Sequence, residues 1–198
     1  MSEMLSPQPR DNDLARVAGM ISGGVLLDPA RVVDNLDIRP GMKIADFGCG
    51  TGHFTILMAK RVGDDGRVTA IDIQEAPLES VRTRAREAGL ATIDIIRANL
   101  EVLGGTSLLD NSQDMVLLAN VLFQSNKKPE IMREAHRILK SGGQLVMVEW
   151  KKGSGGFGPP ENLRMDAEQL KALVSAEQFT FQRDIEVGQY HHVMMFIK

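Results

Sequence analysis

The run Asp46-Phe47-Gly48-Cys49-Gly50-Thr51-Gly52 is the stretch of this chain best suited to chemistry. Its alternate glycines remove the Cβ atoms that keep a ligand off the backbone, and they admit torsions closed to other residues. The dinucleotide fingerprint G-x-G-x-x-G requires a third glycine where, in the two available registers, His53 or Thr55 stands. The phosphate loop ending in Gly-Lys-Ser/Thr is absent as well. Other reactive residue types are scattered. His191 and His192 are adjacent in a strand-like run, so their side chains point to opposite faces and make no two-ligand patch. Cys49 stands alone, which excludes an internal disulfide framework and any multi-cysteine zinc site. No metal site is expected.

A glycine turn of this kind needs a strand before it and a helix after it. Residues 42–47 read as a buried strand, and 53–62 as a helix with Phe54, Leu57, Met58 and Val62 on one face. Residues 68–72 form a second β-rich run. Residues 77–88 are a helix with Leu78, Val81, Ala85 and Ala88 on one stripe, stopped by Gly89. A third strand is predicted at 92–96. The fourth, at 115–119, is almost wholly apolar, as a strand covered on both faces should be. Pro129 opens a helix ended by Ser141-Gly142-Gly143, and 144–149 is a fifth strand. This rhythm predicts an α/β fold with a doubly wound, mostly parallel sheet. The tail differs. Residues 153–160 are a glycine- and proline-rich loop. Asp166 with Gln169 makes a capping box before Leu170, Leu173 and Val174. Runs 179–187 and 190–197 around Gly188 signal a hairpin.

The spacing D-x-G-x-G-x-G resembles motif I of the class I S-adenosylmethionine-dependent methyltransferases, and four further stretches in the right order extend the resemblance over residues 28–198. It implies that Asp46 positions the amino-acid end of the cofactor. Gly48, Cys49, Gly50 and Gly52 would meet the cofactor through their backbone. Asp72, twenty residues after Gly52, would accept hydrogen bonds from both ribose hydroxyls, with Ile73 packed on the adenine. After the third strand comes Arg97-Ala98-Asn99-Leu100. The family usually has an acid here, and Asn99 with Leu100 takes that place beside the adenine amino group. Asp110-Asn111-Ser112-Gln113-Asp114 resembles the family's approach to strand four and leads to Asn120, which would face the sulfonium and the acceptor. Arg137-Ile138-Leu139-Lys140-Ser141-Gly142-Gly143 resembles the helix-to-strand turn before strand five. The resemblance implies a seven-stranded sheet with an antiparallel C-terminal strand, S-adenosyl-L-methionine as cofactor, and one domain of residues 28–198. Residues 1–27 would be an N-terminal segment. In it Leu14, Val17, Ala18 and Ile21 form an amphipathic stripe that either packs simply or serves as a lid.

Composition bounds the partners. The chain has 198 residues, 23 Lys and Arg against 26 Asp and Glu, and a net charge of −3. Its longest basic runs are pairs, so the footprint of a nucleic-acid binder is missing and a small-molecule methyl acceptor is expected. No run reaches the roughly 18 apolar residues that span a bilayer. The polar opening stretch lacks a signal-peptide core, and a cytoplasmic location is expected. The composition is compatible with a homodimer. Glu149 and His53 are weak candidates for a general base, and no catalytic residue is assigned. Two other classes stay open: a cofactor-binding regulatory module without catalysis, and a nicotinamide oxidoreductase, which the failed fingerprint disfavours.

Overall fold

The computed structural model describes residues 27–198; the Leu14–Ile21 stripe lies outside the described residues. The described chain opens with the short helix α1 (Pro29–Asp34), a proline at its first position and Asp28 as its N-cap, accepting from the Ala30 N–H. Then come β1 (Lys43–Phe47), α2 (His53–Val62), β2 (Arg67–Asp72), α3 (Glu75–Glu87), β3 (Ile93–Arg97), β4 (Gln113–Ala119), α4 (Lys128–Ile138) and β5 (Leu139–Trp150). The chain closes with α5 (Ala167–Ala176), β6 (Thr180–Asp184) and β7 (His191–Ile197).

The seven strands form one sheet in the order β3-β2-β1-β4-β5-β7-β6. Strands β1 to β5 pair in parallel, and β7 lies between β5 and β6, antiparallel to both. The order reverses between β1 and β4, so a crevice is expected outside their carboxyl ends. Strand β4 is apolar because both its faces are covered. Met115 and Leu117 join Ile44, Val68 and Val146 in the core beneath α1 and α2, whereas Val116 and Leu118 join Phe47, Leu145 and Phe196 beneath α4 and α5.

Several boundaries differ from the sequence expectation. Helix α3 begins at Glu75 and not at Pro77, because a proline in the first turn gives up an N–H that has no intrahelical partner. Ala88 is a cap exposed to solvent, not part of the buried stripe. Helix α4 stops at Ile138, where Leu139 turns extended and starts β5, so Ser141-Gly142-Gly143 lies within the strand. The closing hairpin around Gly188 forms, with shorter strands than the runs 179–187 and 190–197. The connection spans residues 185–190 because Ile185 and Val187 are drawn into the core beside α1. The capping box at Asp166 and Gln169 forms with both of its hydrogen bonds.

The crossover between β3 and β4 is held by a buried carboxylate. Glu134 of α4 is fully buried and accepts from the Gly104 N–H (2.7 Å), the Thr106 N–H (3.2 Å), the Thr106 hydroxyl (2.5 Å), and Arg137 Nε (2.9 Å) and Nη2 (2.7 Å). Arg137 also donates to Asp110 and to the Leu108 carbonyl. Burial alone would raise the Glu134 carboxyl, but the bonds from Arg137, Thr106 and Gly104 outweigh it and hold it at about 2.

Candidate active site

The glycine turn leaves β1 and folds over the end of β2. The N–H groups of Gly48 and Cys49 both donate to the Ile71 carbonyl, at 2.8 and 3.0 Å. The Gly50 N–H donates to Asp72 Oδ2 at 3.1 Å, and Asp72 Oδ1 accepts from the Gln74 N–H at 3.0 Å. The three glycines have different tasks. A Cβ on Gly48 would lie 2.5 Å from Val121, and one on Gly52 would lie 2.9 Å from Val81 of α3. Those two positions are glycine because neighbouring elements approach closely. Gly50 has φ +51° and nothing within 4 Å of its Cβ position. Only there does the missing side chain open space outside the protein, where a ligand can reach the backbone.

This wiring discriminates between ligands. In a dinucleotide site, free N–H groups of the turn receive phosphate. Here the amides of residues 48–50 are spent on Ile71 and Asp72. Acceptors with capacity to spare stand at the ends of β1, β2 and β4, in Asp46, Asp72 and Asn120 Oδ1, which suits a cationic ligand.

Asp46 is 1% exposed, and its Oδ2 accepts from the Thr55 hydroxyl at 2.5 Å. Burial pushes its carboxyl up to about 7, against the Thr55 hydrogen bond and aided by the charge of Asp72. One strand away, Asn120 follows β4 with φ +58°, is 6% exposed, and its Oδ1 has no hydrogen-bond partner among the described residues. Its backbone is fixed: the N–H donates to the Val148 carbonyl at 2.7 Å, and the carbonyl accepts from Gln124 Nε2 at 2.8 Å. A buried carboxylate with little support and an orphaned amide oxygen fit the ammonium and sulfonium of S-adenosylmethionine.

The other residues singled out in the sequence fall around this edge. Ile73 is 54% exposed beyond Asp72, and Arg97 Nε fixes its carbonyl at 3.0 Å. Asn99 is exposed, and its Oδ1 accepts from the Glu101 N–H at 2.9 Å, so one lone pair already closes a local turn. Leu100 is buried in the core with Phe47, Ile71 and Ala98. Cys49 is buried, its thiol directed at the Gly50 carbonyl, and burial pushes the thiol well up, which suits a neutral side chain rather than a nucleophile.

The two candidate bases separate. Glu149 of β5 is buried, and its Oε1 accepts from the N–H groups of Val121 (3.0 Å) and Leu122 (2.7 Å). Burial raises its carboxyl to about 7 while those bonds lower it. It fixes the turn that presents Asn120. His53 opens α2, where its Nδ1 meets Arg84 Nη1 at 3.1 Å beside a cleft of about 650 Å³ also lined by Asp28, Ala30 and Leu57. Sequence reasoning missed Thr55, Gln124 and Val121. Thr55 stands on the buried face of a helix whose other inward residues are apolar, the one local signal among them.

The fold is that of class I S-adenosylmethionine-dependent methyltransferases, and a family model described as "Methyltransferase domain" matches residues 38–196. The chain belongs to that family. It is 36% identical over 115 residues to the ubiquinone/menaquinone biosynthesis C-methyltransferase of Shewanella oneidensis, a match covering 58% of this chain and 45% of that protein. The chain thus spans about half the length of the curated relatives it matches. A SAM-dependent methyltransferase from Aquifex aeolicus superposes with a TM-score of 0.83 at 23% identity, over 93% of this chain and 98% of that one. A 1,6-didemethyltoxoflavin-N1-methyltransferase from Burkholderia thailandensis, solved with 1,6-didemethyltoxoflavin and S-adenosylhomocysteine, gives 0.69 at 19% identity, over 98% and 93%. At such identities the structural likeness speaks for the fold.

Proposed function

We propose that this protein transfers a methyl group from S-adenosylmethionine to a small-molecule acceptor, within the cytoplasm. The observation that carries the reading is the glycine turn whose amides are spent internally, flanked by the buried carboxyl of Asp46 and the orphaned Oδ1 of Asn120. When bound, S-adenosylmethionine supplies a methyl carbon made electrophilic by its sulfonium. Asp46 gives up its proton and pairs with the ammonium. Asp72, already oriented by Gly50 and Gln74, retains lone pairs for the ribose hydroxyls. Ile73, Asn99 and Leu100 border the adenine end. Asn120 Oδ1 faces the reacting end from a backbone fixed at two points. Donor and acceptor would thereby be aligned, which is the main demand of an in-line displacement.

Among the described residues no helix is long and apolar enough to cross a membrane. Nucleic acid is disfavoured by the net charge of −3. Calorimetric titration with S-adenosylmethionine and with NADPH tests the donor, and radiolabelled methyl transfer tests catalysis. Gly50→Val has open space around its side chain, so the variant is expected to fold at a strain cost of about 1–3 kcal/mol. It should lose S-adenosylmethionine. Unchanged affinity in the folded variant, or binding of NADPH by the wild type, would contradict the reading.

A further inference from the structure

Four aromatic side chains crowd the same carboxyl edge of the sheet on the β5 side, among them the only Trp and the only Tyr of the chain. Trp150 ends β5, Tyr190 stands just before β7, and the Lys151 N–H donates to the Tyr190 carbonyl at 2.8 Å. Phe123 and Trp150 form a small core of their own, with Tyr190 packed against it. Phe157 meets Tyr190 edge to face at 5.9 Å. The row is buried at Trp150 and Phe123 and open at its outer end, where Phe157 is 47% exposed.

The loop that carries Phe157 is pinned from within. Arg164 is buried and donates from Nε to the Pro159 carbonyl (2.9 Å), from Nη1 to Ser154 Oγ (3.0 Å) and to the carbonyls of Lys151 and Gly155 (3.3 Å each), and from Nη2 to the Phe157 carbonyl. Its guanidinium carbon lies 5.6 Å from the centre of the Trp150 ring. Gly158 lets the loop rest on the indole, since a Cβ there would come within 2.6 Å of the ring. A buried charge committed to holding a glycine-rich loop against an indole marks a built surface and not a linker. The indole N–H of Trp150 is itself buried without a partner among the described residues, which a closed core rarely tolerates.

The position of this row gives it a role. The turn after β4 that presents Asn120 also carries Phe123 into Trp150, and Glu149 holds that turn by two N–H groups. Along the sheet edge from β2 through β1 and β4 to β5 come, in order, Asp72, Asp46, Asn120 and then the aromatic row. We infer that this row is the acceptor-side wall of the methyl-transfer site proposed above, an inference that rests on that reading. The acceptor it fits is a planar, apolar ring compound bearing a hydrogen-bond-accepting oxygen. The donors of Arg164 are spent on the loop, so it is a positioning residue that aims Phe157 and Tyr190 at the acceptor.

The test is a calorimetric titration of the full chain, saturated with S-adenosylhomocysteine, with 2-naphthol, and with cyclohexanol and glycine as comparisons. Saturable binding of 2-naphthol alone is expected. Phe157→Ala and Tyr190→Ala, both at partly exposed positions, and Arg164→Lys should each weaken 2-naphthol at least tenfold. Their affinity for S-adenosylhomocysteine should stay within twofold, a split that a general loss of structure does not produce. Unaltered 2-naphthol affinity in the Phe157 and Tyr190 variants, or a preference for glycine, overturns the inference while the donor reading stands. A wild type that takes up no S-adenosylhomocysteine overturns the donor reading, and the inference falls with it.

Discussion

Two kinds of buried carboxylate occur in this molecule, and burial does not tell them apart. Glu134 and Asp46 are both almost wholly removed from solvent. Glu134 accepts from five donors, two of them on a guanidinium, and is held at about 2. Asp46 leans on Thr55, feels the charge of Asp72, and is pushed up to about 7. The first region is finished: every lone pair has work within the fold, and the network ties the β3–β4 crossover to α4. The second is unfinished, a state that costs stability and that a cation from outside would relieve. The count of donors separates these two residues, while Glu149, buried with two N–H donors and also raised to about 7, fixes the turn at Asn120.

Removing the finished carboxylate should cause the largest loss of stability. Glu134→Gln leaves the partly exposed Arg137 facing a buried neutral amide, with Asp110 still beside it, and should cost about 3 kcal/mol, the low end for breaking a buried pair. Urea denaturation measures it. A depressed carboxyl adds stability that is full above its unfolded value of about 4.5 and is lost as the pH falls through about 2. The acid limb of the stability profile should therefore shrink in the variant. A loss below about 1 kcal/mol, the level of an exposed pair, would break the comparison from this side.

Asp46→Asn should act with the opposite sign on the fold. A raised carboxyl favours folding at low pH, and that advantage is lost as the pH rises from about 4 through about 7. At pH 8 the wild type buries a charge that the variant does not. The variant should then be the more stable of the two, by up to about 4 kcal/mol for a carboxyl raised from about 4 to about 7, and near pH 4 the difference should nearly vanish. Affinity for S-adenosylmethionine should nevertheless fall about tenfold to hundredfold, the loss of one charge-assisted pair. A variant that is clearly destabilised at pH 8 and binds normally would place Asp46 with Glu134.

Asp72 lies between the two cases, with one oxygen on each of two backbone N–H groups and lone pairs to spare. Asp72→Asn keeps one oxygen for the Gly50 N–H, turns the one that accepts from Gln74 into a donor, and removes acceptors left for a ribose. Binding should weaken by about 1–2 kcal/mol. The same loss with an analogue lacking both ribose hydroxyls would show that Asp72 serves only the turn.

Much of the frame was legible in the sequence. The alternation of apolar strands and striped helices identifies a doubly wound sheet, because each element must bury one face or two. The turn at 46–52 is legible as a candidate site because alternate glycines between a strand and a helix let a ligand approach the backbone. What could not be read depends on contacts distant in sequence. Glu134 and Arg137 are an ordinary helical i, i+3 pair until the loop at 104–106 folds onto them. Arg164 looks like a surface arginine in a short connection, and only the folded loop shows six acceptors, counting Glu161, around it. The three glycines of the turn read alike, yet two are fixed by Val121 and Val81 and one faces open space. The two strand-like runs around Gly188 signal the closing hairpin, while the burial of Ile185 and Val187 decides the length of its connection.

The most direct measurement is proton release on binding, obtained by titrating S-adenosylhomocysteine calorimetrically at pH 6.5 in two buffers of different ionisation heat. With its carboxyl near 7, Asp46 is mostly protonated at that pH and must ionise to meet an ammonium. The wild type should release about 0.7 proton per ligand bound and Asp46→Asn almost none. Binding by the wild type without proton release, or equal release from both proteins, would contradict the placement of the donor site at the glycine turn with Asp46 as its anchor.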